Sequence, residues 1–357
     1  MDNLKVVIVG CGGMSETWIK AALALPGVSV VGFVDVVEAA AQKRRDQFGL
    51  SEAVTGTSLA EVLKRTGADV VFDVAIPEVH FDVTMTALAH GCHVLGEKPL
   101  ANSMSEARTM VQAAREAKRI FAVMQNRQHH PVMRQLRQLV RSGQLGQLTT
   151  VNIDFYVGAH FGGFRDRMKH VLLLDMAIHT FDQARFITGA DPVAVAYAKE
   201  WNPAGSWYDQ DASAIAIYEM SNGLVVNYRG SWCAEGLRTS WESEWRIIGT
   251  QGTTKWDGNN DIATNGNVVN AANVVVEQVT QTGSFFSEVV QGHLPSLQDA
   301  SKTNGHTSLI ADFVHCVRMG QLPETHGEDN IKSLAMVFGA IECAESGRRV
   351  ELKPLWE

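Results

Sequence analysis

Apolar and polar positions along the chain change their rhythm once, near residue 125. Before it, short continuous apolar runs alternate with stretches of helical period: residues 5–9, 28–34, 70–75, 93–96 and 120–124 read as buried strands. Helical patterns near 18–23, 58–65, 81–90 and 103–118 lie between them, and Gly91 closes the third as a C-cap. Strands that are apolar throughout and joined by helices predict a parallel sheet with right-handed crossovers.

From Gln125-Asn126-Arg127 onward the strands lengthen and alternate. A helix over 131–141 precedes strands at 149–157, 193–199, 212–220, 224–232 and 243–248, each with one covered and one polar face. Ser221-Asn222-Gly223 and residues 249–252 read as hairpin turns, so neighbouring strands are expected to be antiparallel. The Asn- and Val-rich stretch 259–282 yields no register, and helices at 307–319 and 330–346 end the chain. Two domains follow, over 1–125 and 126–357.

Composition narrows the function. A chain of 357 residues holds two domains with ample core. The net charge of -8 is dispersed, which disfavours nucleic acid and anionic membrane surfaces as partners. Five scattered cysteines, without paired spacing, argue against a disulfide framework or a zinc site and fit a reducing compartment. Met1 to Lys5 runs directly into a strand with no signal core, and no apolar run spans a bilayer, so a cytoplasmic protein is expected.

Three stretches carry chemistry. The first is Gly10-Cys11-Gly12-Gly13-Met14-Ser15, a glycine turn between strand and helix with Ser15 in the third glycine's place. Such a turn lets the backbone approach a pyrophosphate, which then rests on the helix N-terminus; without a ligand it is a plain turn. Asp35 ends the second strand at the distance where a carboxylate accepts ribose hydroxyls and repels a 2′-phosphate, which favours NAD over NADP. Lys43, Arg44 and Arg45 follow, either as a solvated helix face or within reach of a phosphate. Pro77, at the end of a strand, lines the expected cofactor cleft, with Ala75 and His80 beside it.

The second stretch is Glu97-Lys98-Pro99 at the end of a strand, where parallel sheets hold their ligands. In the third, Asp175, His179 and Asp182 recur at helical spacing and share a face. An aligned carboxylate and imidazole can hold two hydroxyls while the imidazole accepts a proton. The same pair can ligate a metal, though no third ligand has recognisable spacing, or can form a solvated helix face. His129 and His130 precede Pro131 and read as loop residues at a helix entrance, so no metal site is expected.

Taken in order, the glycine loop, Glu97-Lys98-Pro99 and the Asp175-x-x-x-His179 helix followed by Asp182 resemble the glucose-fructose oxidoreductase / inositol dehydrogenase (Gfo/Idh/MocA) family over most of the chain. The resemblance implies an α/β Rossmann domain joined to an α+β domain with a large open-faced, mainly antiparallel sheet. It also implies homodimers or homotetramers built through that sheet, and NAD(P)-linked oxidation or reduction of sugars and cyclitols. Carried over by position, Lys98 meets the reacting hydroxyl and the nicotinamide ribose, His179 is the base, Asp175 orients substrate and imidazole, and Glu97 positions cofactor and lysine. A cis Lys98–Pro99 bond is also expected. Cofactor contacts fall to Gly10, Gly12, Gly13, Met14, Asp35, Ala75, Pro77, His80, Glu97 and Lys98.

Family members often carry glycines before the Asp/His helix, where this chain has Lys169-His170-Val171-Leu172. Arg127, Asp154, His160, Arg165, Lys169 and His170 are therefore the candidates for a sugar pocket of its own design. The expected activity is NAD-dependent oxidation at a secondary hydroxyl of a sugar, sugar derivative or inositol. Its competitors are an NAD-retaining enzyme that cleaves glycosides or eliminates without net redox change, and a non-catalytic sugar or dinucleotide sensor, which would not need a proton acceptor.

Overall fold

The computed structural model describes residues 3–259, 261–262, 268–270, 273–283 and 285–357. They form two compact units, one of Met1–His129, Ser301–Ile331 and Trp356, the other of His130–Ala300, Lys332–Leu355 and Glu357.

The first unit is built on β1 (Leu4–Val9), β2 (Val28–Val34), β3 (Val54–Gly56), β4 (Val70–Asp73), β5 (His93–Gly96) and β6 (Phe121–Val123). All pair in parallel, in the order β3-β2-β1-β4-β5-β6. Val6, Val7 and Ile8 are fully buried in succession, as a strand covered on both faces requires. Ser58 and Ser103 cap the helices Leu59–Thr66 and Met104–Ala117 by accepting from the backbone N–H groups of Glu61 and Glu106. Strand order reverses between β1 and β4, so the loops after these two strands part and leave a crevice at their carboxyl ends. The helix Gly305–Met319, far along the chain, belongs to this unit. Its Phe313 meets Phe72 of β4 edge to face, and Phe72 meets Trp18 in the same way.

In the second unit, β7 (Leu148–Tyr156), β8 (Pro192–Trp201), β9 (Ser213–Met220), β10 (Val225–Ser231), β11 (Glu244–Gly249) and β12 (Gly252–Trp256) form most of a nine-stranded sheet. A separate ribbon pairs β13 (Asp261–Ile262) with β14 (Val268–Asn270), and β15 (Val274–Gln281), β16 (Glu288–Gln291) and β17 (Val350–Glu351) complete the large sheet. Within the stretch that gave no register, β15 pairs antiparallel with β12, while residues 260, 263–267 and 271–272 lie outside the described residues.

Hairpins join β9 to β10 and β11 to β12, and those pairs are antiparallel as their turns predict. The expectation fails for β7 and β10, which run parallel, because no hairpin links them and β10 inserts beside β7 after a long excursion. Val151, Ile153 and Phe155 alternate into the covered face, where Phe181 of the helix Ile178–Thr188 packs edge to face on Tyr218 and Tyr228. A cross-strand row of Tyr197, Ile217, Asn227, Asn152, Arg246, Lys255 and Val275 marks the opposite, open face. Among the described residues no helix is long and apolar enough to cross a membrane.

Candidate active site

The glycine turn sits at the crevice of the first unit. Gly10 has φ +84°, and a β-carbon there would lie 2.7 Å from the Ala75 backbone, so only glycine lets the loops after β1 and β4 approach this closely. At Gly12 and Gly13 an added β-carbon would meet nothing within 4 Å, so this side of the turn is open. The helix Ser15–Leu23 starts at the exposed Met14 without a side-chain cap, leaving N–H groups and the positive dipole end for an anion. Asp35 holds the turn in shape: its Oδ2 accepts from Cys11 N at 2.8 Å and its Oδ1 from Val37 N at 2.9 Å.

Arg44 does not belong to a solvated face. Its Nη2 donates to Gly12 O at 2.7 Å, its Nη1 pairs with Glu16 at 3.4 Å, and only 12% of the side chain is exposed. The helix Glu38–Gln47 brings it back over the turn, while Lys43 stays exposed. Burial first, then Asp35, push the Cys11 thiol up to about 12, so it is inert at neutral pH.

Across the crevice, β4 ends in Asp73, which is fully buried and lies 2.8 Å from His80 Nδ1. Burial opposes charge on His80, but Asp73's charge and hydrogen bond outweigh it and raise its pKa. His80 Nε2 is buried and has no hydrogen-bond partner among the described residues, as expected of a group awaiting an acceptor. Pro77 opens the short turn Pro77–Val79 between them. The open glycines, the uncapped helix end and His80 Nε2 together fit a dinucleotide.

Glu97 and Lys98 follow β5. Glu97 N donates to Asp73 O and Met124 N to Gly96 O, both at 2.8 Å, fixing the strand end between its neighbours. Glu97 Oε1 accepts from Trp18 Nε1 at 2.9 Å, and His306 Nε2 lies 3.9 Å from the same oxygen. Burial lowers the His306 pKa against the opposing pull of Glu97. The Lys98–Pro99 bond is cis, and Lys98 is half-buried. Arg127 lies in the turn Asn126–His129 of this unit, where His129 Nδ1 meets Ser308 Oγ at 2.9 Å.

In the second unit the Asp/His helix departs from regular geometry. Leu172–Ala177 is π-helical, with Ile178 N bonded to Leu173 O, and it leads into the helix Ile178–Thr188. Such wide turns recur at functional sites because they re-aim side chains. Asp175 and His179 are 6% and 7% exposed, so the reading of a solvated polar face is wrong: the sheet and its neighbours cover the helix on nearly all sides. Asp182 parts from them, accepting from Ser333 Oγ at 2.8 Å in a network that includes Arg185.

Arg165 Nε donates to Asp175 Oδ2 at 2.8 Å, and its guanidinium lies over the rings of Phe161 and Phe164 at 5.3 and 4.7 Å. Phe161 and Trp241, half-exposed, continue this shelf. The other pocket candidates in this unit are placed as follows. Asp154 stands on the open sheet face in a bidentate pair with Arg229 at 2.7 and 2.6 Å, since it alternates with the buried Ile153 and Phe155. His160 stacks on Trp207 and pairs with Glu235, and Lys169 is exposed. His170 has φ +52°, a left-handed conformation that costs a residue with a β-carbon roughly 1–2 kcal/mol. Its ring turns to Glu200 at 2.7 Å.

Each unit has counterparts among known proteins. Residues 4–125 match an oxidoreductase family with an NAD-binding Rossmann fold, and residues 133–255 match the GFO/IDH/MocA C-terminal domain. This combination defines an NAD-binding oxidoreductase of the sugar and inositol dehydrogenase type, acting on CH–OH groups. The chain belongs to the Gfo/Idh/MocA family. It is 28% identical to the protein y4oX of Sinorhizobium fredii over 98% of this chain and 96% of that one. It is 22% identical to the 1,5-anhydro-D-fructose reductase of Ensifer adhaerens over 97% and 98%. A solved oxidoreductase from Agrobacterium radiobacter, in complex with NAD+, L-tartaric acid and magnesium, shares the fold with a TM-score of 0.80 at 23% identity, over 99% of both chains.

Hydrogen bonds to charged groups are worth about 1.5–3 kcal/mol, so Asp35→Ala, which frees the glycine turn, is expected to weaken NAD+ binding by about tenfold or more. Fluorescence titration with NADH would show it, and an unchanged dissociation constant would contradict the role given to Asp35.

Proposed function

We propose that the protein oxidises a secondary hydroxyl of a sugar, sugar derivative or inositol with NAD+ and prefers it to NADP+. The observation that carries the reading is the buried helix of the second unit. Asp175 and His179 stand one turn apart in a buried helix, with Arg165 fixed on Asp175. Burying such groups is costly unless they are paired, and paired buried titratable groups cluster at functional sites.

Glycines 10, 12 and 13, the helix end at Met14, Asp35 and His80 would hold the dinucleotide, with Glu97 holding the nicotinamide end. When bound, NAD+ supplies the hydride acceptor. Lys98 donates a hydrogen bond to the reacting hydroxyl and stabilises negative charge as it develops on that oxygen. His179 takes the hydroxyl proton, and Asp175 accepts from a neighbouring hydroxyl and keeps the imidazole aimed. Glu97, tied to Trp18, keeps Lys98 in place. The shelf of Phe161, Phe164 and Trp241 offers apolar surface to the C–H face of a sugar ring. Asp35 disfavours a 2′-phosphate by charge.

The open face of the large sheet exposes Tyr197, Ile217, Val275 and Val279, an apolar surface of the kind a second copy covers, and we assign homo-oligomer formation to it. The test of function is a panel of sugars, polyols and cyclitols offered with NAD+ or NADP+ and followed by the absorbance of reduced nicotinamide. Turnover with NAD+ on compounds bearing a secondary hydroxyl is expected. No reduction across the panel would contradict the reading.

A further inference from the structure

The turn that launches the Asp/His helix is built in an unusual way. His170 sits immediately before the helix at φ +52°, a region that L residues avoid and glycine enters freely. Its carbonyl accepts from Leu174 N at 2.9 Å, so the left-handed residue itself opens the helix on which Asp175 follows five positions later and His179 nine. Histidine is tolerated here better than most residues but less well than glycine, so its presence has a reason beyond the backbone. Its side chain supplies one: Nδ1 lies 2.7 Å from Glu200 Oε2 on β8, and Nε2 lies 3.9 Å from Glu345 on the helix Gly327–Ser346.

The Glu200 side chain is only 4% exposed, and its second oxygen, Oε1, is buried without a hydrogen-bond partner among the described residues. The imidazole is thus the chief compensation for a carboxylate removed from water. Charge and backbone lock each other: the pair holds the ring, and the ring holds the left-handed turn.

We propose that His170 is a positioning residue for the oxidation, its protonated ring clamped on Glu200 so that the helix leaves the turn with Asp175 and His179 correctly aimed. The proposal rests on the reading of that helix as the substrate and proton end of the site. His170 does not touch the substrate in this role and acts through the backbone alone.

The clamp has a defined pH window. The ionisable groups bearing on the ring are Glu200 on β8, Glu345 on the helix Gly327–Ser346 and Asp211 before β9; all three are acids, and the Glu200 hydrogen bond is the largest of the influences that raise the His170 pKa. Burial pushes the Glu200 carboxyl up, against the pull of His170. A histidine whose pKa is raised on folding contributes fully below its unfolded pKa, and that contribution is lost as pH rises through the folded value. The clamp therefore fails on the alkaline side once His170 deprotonates, and on the acid side once Glu200 protonates.

The test measures kcat, KM, the pH profile and the melting temperature for wild type, His170→Val, His170→Gly, His170→Asn and Glu200→Gln, with circular dichroism as the check on folding. A misplacement of about 1 Å at a reacting group can cost about 100-fold, so His170→Val is expected to lower kcat by about tenfold or more while NAD+ affinity stays at the wild-type value. Asparagine tolerates the left-handed region and keeps a donor, so His170→Asn should recover most of kcat and lack the alkaline decline expected of wild type. Glu200→Gln, which removes the charge and keeps an acceptor, should also lose that decline.

Glycine separates backbone from clamp. If His170→Gly matches wild type in kcat and in pH profile, the ring positions nothing and the proposal fails. It fails equally if all the variants lower only the melting temperature and leave kinetics intact at temperatures where they are folded. A silent His179→Gln would instead overturn the reading of the helix itself, so the two failures are distinguishable.

Discussion

Lys98→Met is expected to turn over substrate about 100 to 1,000 times more slowly than wild type, the cost of removing one preorganised donor from a developing oxyanion. Methionine keeps the length of the stem and loses the charge and the donors. Because the assigned role lies in the transition state, the loss should fall on kcat and kcat/KM together, with NAD+ affinity nearly unchanged. Single-turnover measurement of NADH formation checks it. A variant at wild-type rate would remove Lys98 from the chemistry and leave the strand end after β5 with a purely structural lysine.

The second large effect is expected at His179. Replacing a positioned general base costs about 100- to 10,000-fold, and His179→Gln keeps hydrogen-bonding capacity while abolishing proton acceptance. Its pH profile is the sharper readout. In wild type, kcat/KM should rise with pH as the base loses its proton, and that limb should vanish in the variant. A variant that is slow yet keeps the limb would place the titrating base elsewhere. Asp175→Asn should behave differently, raising KM as well as lowering kcat, because Asp175 is assigned to hold a hydroxyl in both ground and transition states.

Much of this was legible in the sequence because it is local. The strand, glycine turn and helix around Gly10–Ser15, the carboxylate at Asp35 and the helical placement of Asp175 and His179 follow from spacing and residue type, whereas the cis Lys98–Pro99 bond was implied by the family resemblance alone. What escaped depends on chain returns. Arg44 reads as one of three solvated cations, and only the packing of its helix brings it onto Gly12 O, 32 positions away. Trp18 falls in the helical pattern near 18–23, and nothing local shows that its indole N–H holds Glu97, 79 residues further on.

The Asp/His helix shows a second kind of limit. A regular period puts Asp175, His179 and Asp182 on one face, but the π-helical segment Leu172–Ala177 resets the phase, and burial removes the alternative of a solvated stripe. Periodicity alone registers neither. His170 is bulky where members of the resembled family often carry glycine, which makes it a pocket candidate. The anomaly was visible in the sequence; its cause, the partner Glu200 on a strand 30 residues later, was not.

The central claim is net transfer of hydride from a substrate carbinol to NAD+, with the proton leaving through His179. Its most direct test uses a substrate deuterated at the carbinol carbon, incubated with NAD+ and followed by mass spectrometry of both products. The account predicts one deuterated NADH and one ketone for each substrate consumed. Product formed without accumulation of reduced cofactor, the deuterium returned to the sugar or lost to water, would contradict it and point to transient oxidation in the service of elimination or glycoside cleavage.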